Sequence, residues 1–247
     1  MLSKNQIKFV RSLSLKKNRQ ATRLFTAEGA KTVTDLLQTF RLRQLYHTAS
    51  YAGPRPQDVS VMVSDDELQR ISTLETAHEV VAVFEMPEEV EPVWHKGELV
   101  LALDGLQDAG NLGTIIRLAD WFGISQVVCS QGTVDVYNAK VVQSTMGALA
   151  RVRVAYAALP EWLHRLPKEC PVYVTDLKGD DLYVQELRPD GVLVFGNEGN
   201  GVSDAVRQLA TRRLLLPNYP QGRPTSESLN VAVATAVIVS EFRRRVR

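Results

Sequence analysis

Beyond residue 99 the chain switches repeatedly between the two-residue period of a strand and the 3.6-residue period of a helix, and its strand runs are almost unbroken aliphatic sequence. Leu99–Leu103, Gln126–Cys129, Val152–Tyr156, Val172–Asp176, Val192–Phe195 and Arg213–Leu216 read as strands. Between them, Leu112, Ile115, Ala119 and Phe122 mark a helix face ended by Gly123. Further helices are expected from about Val136 to Ala150, over Val202–Ala210 and over Leu229–Arg245. Strands without polar alternation are buried on both faces, the condition of a parallel sheet covered by helices. The sequence thus predicts an α/β fold with a mostly parallel sheet, whose ligands sit beyond the carboxyl ends of the strands.

The first third reads differently. Met86-Pro87-Glu88-Glu89-Val90-Glu91-Pro92 is acidic and punctuated by prolines, which suit neither a helix interior nor a central strand. It marks a linker over 87–98 between a small α/β domain, 1–86, and a larger domain, 99–247. In the small domain a helix is expected within Glu28–Phe40, strands at Leu42–Tyr46, Val59–Val63 and Val80–Phe84, and a helix opened by the capping box Ser64-Asp65-Asp66-Glu67.

Charge narrows the partners. Twenty-nine Lys and Arg against 28 Asp and Glu leave a net +1, but the charges are segregated. Residues 1–31 carry eight bases and one acid, 58–98 eleven acids and two bases, and 207–247 eight arginines and two acids. Such asymmetry points to nucleic acid or another anionic partner. The N-terminus lacks the apolar core of a signal peptide, and the longest apolar stretch, Val231–Val239, is too short to span a bilayer, so a cytoplasmic protein with no membrane partner is expected. Two distant cysteines and four scattered histidines offer neither a disulfide framework nor metal-ligand spacing.

Three strand-end loops carry unusual chemistry. Asp104-Gly105-Leu106-Gln107-Asp108-Ala109-Gly110-Asn111-Leu112-Gly113 delivers a helix bearing Arg117 among apolar residues. Its plain reading is an N-cap at Asn111 and an Arg117–Asp120 pair. Phe195-Gly196-Asn197-Glu198-Gly199-Asn200-Gly201 follows a strand, and its glycines let backbone amides approach a ligand, with Glu198 a helix N-terminal charge or a functional acid. Its order, G-x-x-G-x-G, reverses the dinucleotide fingerprint, and Leu214-Leu215-Leu216-Pro217 stands where that fingerprint expects a ribose-binding acid. The third loop runs from Leu216 to Asn230; its plain reading is a helix start capped by Ser226 or Ser228 with Asn230 solvated.

Taken in order, Asn111-x-Gly113-x-x-x-Arg117, Gly196-Asn197-Glu198-x-x-Gly201 and Leu216-Pro217…Ser228-Leu229-Asn230-Val231-Ala232-Val233-Ala234 resemble the three signature motifs of the SpoU/TrmH family of SPOUT RNA ribose 2′-O-methyltransferases. Ser144-Thr145-Met146-Gly147-Ala148 also resembles a family segment. Lys17-x-Arg19, Leu24-Phe25-Thr26-Ala27-Glu28-Gly29 and Val61-x-Val63-Ser64 resemble the small RNA-binding domain that precedes the catalytic domain in many members.

The resemblance implies a C-terminal trefoil knot in the parallel sheet, which periodicity does not reveal and general topology disfavours. It implies S-adenosylmethionine as cofactor, held by Gly196, Asn197, Gly201, Leu216, Pro217 and Leu229, and a homodimer. It gives Arg117 the central catalytic role, with Asn111, Glu198, Ser228 and Asn230 orienting ribose, Arg117 and cofactor. It puts structured RNA, ribosomal more than transfer RNA, against Lys16, Lys17, Arg19 and Arg23. An arginine stays protonated in proteins, so Arg117 fits the role of stabilising a developing alkoxide and gripping phosphate; a phosphate, a water and Glu198 all remain candidate proton acceptors. In the family about three residues separate the glycine and serine of the third motif, and here five separate Gly222 from Ser228. A non-catalytic RNA-binding protein that keeps the fold is the alternative reading.

Overall fold

Two packed units organise the chain, and they do not follow sequence order: Met1–Glu88 joins Asp135–Arg151 in one, and Glu89–Val134 joins Val152–Arg247 in the other. The structure, a computed structural model, describes every residue except Gln221, Gly222, Pro224, Thr225, Glu227, Val246 and Arg247.

The first unit opens with α1 (Lys4–Ser12), α2 (Lys16–Thr22), β1 (Leu24–Glu28), α3 (Ala30–Leu36), β2 (Leu42–His47), β3 (Ser60–Met62), α4 (Asp65–Ile71) and β4 (Val80–Glu85). Its sheet runs β1-β4-β2-β3, antiparallel except for β2 with β3. The capping box forms as read: Ser64 Oγ accepts from Glu67 N, and Glu67 Oε2 accepts from Ser64 N, both at 3.2 Å. The helix expected within Glu28–Phe40 starts later, because Glu28 ends β1 and Gly29 turns the chain at φ +88°. Glu28 is buried and accepts from Thr73 N at 2.8 Å and from the Ser72 and Thr73 hydroxyls.

In the second unit β5 (Leu99–Asp104), α5 (Ala109–Trp121) and β6 (Gln126–Ser130) follow the reading closely. The single helix expected over Val136–Ala150 is broken. It becomes α6 (Ala139–Ser144) and a short 3-10 turn, separated by Met146 and Gly147 at φ +51° and +89°. This stretch packs with the first unit, where the Tyr137 ring lies 4.7 Å from that of Phe25. A boundary drawn at 87–98 alone therefore misses one excursion of the chain.

The remaining elements are β7 (Arg153–Ala157), α7 (Leu159–His164), β8 (Val172–Asp181), β9 (Gly191–Gly196), α8 (Asp204–Arg207), β10 (Arg212–Leu215) and α9 (Val231–Arg244). All pairings in the six-stranded sheet β10-β8-β9-β5-β6-β7 are parallel, as the aliphatic runs demanded. Val100, Ala102, Val128, Val172, Val174, Val192 and Val194 form a core with Trp162 and Val206. Helix α9 packs on α5 and β9, with Tyr173 meeting Phe242 edge-on at 5.1 Å.

Chain order reverses between β5 and β9: the strands that follow β5 first build one side of the sheet, then the other. In open parallel sheets such a switch point, beyond the carboxyl ends of the strands, is where ligands bind. Among the described residues no helix is long and apolar enough to cross a membrane, and no cluster of His, Cys, Asp or Glu could hold a metal ion.

Candidate active site

One residue from each of the three motifs meets at the switch point, Glu198, Asn111 and Asn230. Asp104 and Gly196 are paired in register at the ends of β5 and β9. Asp104 Oδ2 accepts from Ser203 N at 2.8 Å, tying the first loop to the base of α8. Gly105, at φ +72°, turns the chain out of β5, and its amide donates to Ser130 Oγ at 2.8 Å.

Helix α5 is capped by Asp108, which accepts from Asn111 N at 2.7 Å, and not by Asn111. This corrects the plain reading and frees the Asn111 side chain. Its Nδ2 donates to Glu198 Oε1 at 2.6 Å, and its Oδ1 accepts from Asn230 Nδ2 at 3.0 Å. Arg117, farther along α5, is exposed and makes no ion pair or hydrogen bond among the described residues. The Arg117–Asp120 pair is therefore not formed.

The second loop is a tight turn in which Asn197 and Gly201 exchange backbone hydrogen bonds at 3.0 and 2.8 Å. Asn197 holds it from inside. Its Oδ1 accepts from Gly199 N at 2.8 Å and Asn200 N at 3.3 Å, while its Nδ2 donates to Gly105 O at 2.9 Å. Any side chain at Gly196 would put a Cβ 2.1 Å from the Gly201 carbonyl carbon. Glu198 thus stands exposed on a braced turn, away from a helix start, because α8 begins later with Ser203 at its N-cap position.

In the third motif Leu216 and Pro217 are half-buried just past β10, and Ser228 is exposed. Asn230 is the N-cap of α9, its Oδ1 accepting from Ala232 N at 3.0 Å and Val233 N at 3.3 Å. Neither serine caps the helix, and Asn230 is engaged rather than solvated. Leu229 beside it is 53% exposed, an apolar side chain facing outward at a polar site. The altered Gly222–Ser228 spacing falls largely outside the described residues. A cavity of about 420 Å³ lies on the β8–β10 edge, bounded by Lys178, Arg207, Arg212 and Arg213, and contains none of the motif residues.

The strand-end motifs find their counterpart in a family model described as the SpoU rRNA Methylase family, which matches residues 98–240. The chain belongs to the SpoU rRNA methylase family. A second model, the MRM3-like substrate binding domain, matches residues 4–82. The chain is 34% identical to the 23S rRNA (guanosine(2553)-2′-O)-methyltransferase of Bacillus subtilis, over 98% of this chain and 97% of that one. It is 28% identical to the mouse mitochondrial rRNA methyltransferase 3, over 89% of this chain and 67% of that protein. Among solved structures, a TrmH-family protein of Porphyromonas gingivalis matches with a TM-score of 0.90 at 43% identity, over 99% of both chains. An AdoMet-bound rRNA methyltransferase of Sinorhizobium meliloti matches with a TM-score of 0.85 at 28% identity, over 100% of this chain and 97% of that one.

Within this SpoU member, the four bases expected to meet RNA separate into two kinds. Lys16 and Lys17 are exposed on α2. Arg19 is not available: it is 2% exposed, its Nε and Nη2 donate to Asp135 Oδ2 at 3.1 and 2.5 Å, and Nη1 donates to the Leu13 and Ser14 carbonyls at 2.8 Å each. This corrects its assignment, because a guanidinium buried to this degree and paired to Asp135 presents no face to a phosphate in solvent. Arg23 is half-buried at φ +56° and donates to the Pro87 carbonyl.

The C-terminal arginines are also structural. Arg243 donates to the Phe122 carbonyl at 2.8 Å, and Arg245 to the Leu182 and Tyr183 carbonyls at 3.0 Å. Arg244 and Arg245 both bind Glu241, and these hydrogen bonds hold its carboxyl down at about 2. Asp108, Asp135 and Glu241 are the residues that sequence reasoning missed. Only Asp108 left a local signal, an acid three residues ahead of the amide that it caps.

Proposed function

We propose that this chain transfers a methyl group from S-adenosylmethionine to a ribose 2′-hydroxyl of RNA, ribosomal more than transfer RNA. The observation that carries the reading is the hydrogen-bond chain Glu198–Asn111–Asn230, which joins one polar residue from each motif at the switch point of the sheet. The names of the relatives, rRNA 2′-O-methyltransferases among them, support it.

The residues present fit the cofactor. Gly196, Asn197 and Gly201 form a tight turn, while the half-buried Leu216 and the exposed Leu229 offer apolar surface. Gly196, Asn197, Gly201, Leu216, Pro217 and Leu229 would hold it. When bound, it supplies an electrophilic methyl group on a sulfonium.

What the chain must add is alignment and charge. Asn111 is locked in one orientation by a donor and an acceptor on different loops, so the wall facing the ribose is fixed before substrate arrives. Arg117 carries a positive charge not spent on any acid among the described residues, suited to stabilising an alkoxide as the 2′-hydroxyl loses its proton and to gripping the adjacent phosphate. Ser228, exposed at the start of the last motif core, is a further donor for the nucleotide. Glu198 is the carboxylate positioned to accept a proton directly or through water.

Residues 1–86 serve as the RNA substrate-binding domain, with Lys16 and Lys17 as contacts, 87–98 as the linker and 99–247 as the methyltransferase domain, whose segment 135–151 packs as part of the first unit. The C-terminal segment forms the trefoil knot of SPOUT proteins, and the enzyme works in the cytoplasm as a homodimer. Helix α9 supports the dimer: Val231 and Ile238 are buried, but Val233 is 51% exposed, and Trp121 at the end of α5 is 84% exposed. These apolar groups are more than one subunit covers.

Calorimetry with S-adenosylmethionine, together with mapping of 2′-O-methyl sites in RNA from cells with and without the gene, tests the reading. Cofactor binding and loss of a specific ribosomal mark are expected. Failure to bind the cofactor would leave an RNA-binding protein that has kept the fold. Elution at monomer mass at micromolar concentration would remove the dimer.

A further inference from the structure

We infer that the solvent face of α1 is a phosphate-binding stripe, on which Lys4, Lys8 and Arg11 hold an RNA backbone without reading its bases. The inference rests on the proposed function for the identity of the polyanion, and deepens it by naming a surface.

Three observations carry it. The spacing i, i+4, i+7 puts the three side chains on one face of the helix, over about 10 Å of axis at about 1.5 Å per residue. All three are exposed, and none makes an ion pair or side-chain hydrogen bond among the described residues.

The platform is also rigid. Ser3 and Gln6 close a capping box at the start of α1. Away from the stripe Val10 and Leu13 pack into a core with Tyr46, Val63, Leu68 and Ile71, and the partly buried Ile7 packs against it at the stripe's border. Charges held on a fixed element lose less side-chain and backbone freedom when they engage a second rigid polyanion. Because the apolar face is spent on this core, and only Phe9 shows a large apolar side chain at 42% exposure, the helix lacks the free apolar face that bilayer binding needs.

The stripe ends, at Arg11, on a cavity of about 450 Å³ lined by Ser14, Gln69, Ser72, Thr73 and Glu75. Apart from the exposed Glu75, its polar side chains are committed internally. Gln69 donates to Leu74 O at 3.3 Å and accepts from Ala77 N at 2.8 Å, while the Ser72 and Thr73 hydroxyls donate to Glu28. Base edges find few free partners here, whereas phosphates find three free cations, so this contact is independent of sequence.

The test is the salt dependence of binding to a fluorescent RNA hairpin of arbitrary sequence, between about 50 and 200 mM salt. Each phosphate contact adds about 0.7–0.9 to the slope of log affinity against log salt, so Lys4→Gln/Lys8→Gln/Arg11→Gln should lower the slope by about 2–3. Lys4→Arg/Lys8→Arg should keep it, and melting temperature and cofactor affinity should match the parent. An unchanged slope in a folded triple variant, with the parent still binding RNA and methylating, overturns the stripe and leaves the proposed function intact. A parent chain that binds no RNA overturns both.

Discussion

Asn230 donates from Nδ2 to Asn111 Oδ1 at 3.0 Å while its own Oδ1 caps α9 through the amides of Ala232 and Val233. One amide side chain thereby starts the last helix and clamps the first motif, and Asn111 extends the chain to Glu198 at 2.6 Å. Asn111→Asp keeps the shape but removes the donor to Glu198 and sets two carboxylates side by side. We expect kcat to fall by about 10²-fold, the cost of a small misplacement of a positioned group. Thermal melting should change little, because Glu198 and Asn230 are exposed and Asn111 is only half-buried; a kcat within twofold of the parent would show that the clamp does not position the reaction.

Gly196→Ala should fail for steric reasons alone. A Cβ there lies 2.1 Å from backbone of Gly201 and 2.2 Å from that of Val202, neither of which is a flexible side-chain end. The expected cost is about 1–3 kcal/mol of stability, with loss of cofactor binding by calorimetry as the turn opens. A variant with parental melting temperature and affinity would contradict the account of this loop.

Arg19 should behave as a structural residue. Removing it leaves Asp135, with a side chain only 14% exposed, without its guanidinium partner. Arg19→Ala should destabilise the first unit by about 3–5 kcal/mol, and Arg19→Lys should recover only part of that, since an ammonium lacks the planar fork. Lys16→Gln/Lys17→Gln should leave stability unchanged and weaken RNA binding. Chemical denaturation and RNA titration of the same variants separate the two roles.

Glu241 sets an acid limit on α9. Hydrogen bonds from Arg244 and Arg245 hold its carboxyl at about 2, below the ordinary 4.5. A carboxyl depressed in the folded state adds stability that is fully present above its ordinary value and is lost as pH falls toward the folded value. Glu241→Gln should therefore melt below the parent at neutral pH, and the gap should close between about pH 4.5 and 2. A gap that stayed constant down to pH 2 would mean that the ion pairs contribute nothing.

The sheet of the second unit was legible because its strands are uninterrupted aliphatics, and the motif loops because their glycines and amides fall at strand ends. What escaped depends on distance or on a single torsion. Arg19 reads as a surface base until Asp135, 116 residues away, is packed against it. The Val136–Ala150 stretch has helical periodicity, yet Met146 and Gly147 at positive φ divide it. Helix α7 is short and begins at a proline-containing turn, too brief for a period to emerge. In the site, the residue types were right and the partners were not: Asn111 and Asn230 were read as a cap and a solvated amide, whereas the nearby Asp108 takes the cap and the two amides bind each other.

The central claim is that Arg117, exposed and unspent on α5, drives methyl transfer to a ribose hydroxyl. The direct measurement follows a labelled methyl group from S-adenosylmethionine into ribosomal RNA for the parent and Arg117→Ala, with nuclease digestion to locate the label. The account predicts label on ribose 2′-oxygen with the parent, and a loss of at least about 10²-fold in Arg117→Ala while calorimetry still detects cofactor binding. Label on a base, or equal transfer by the two proteins, would contradict it.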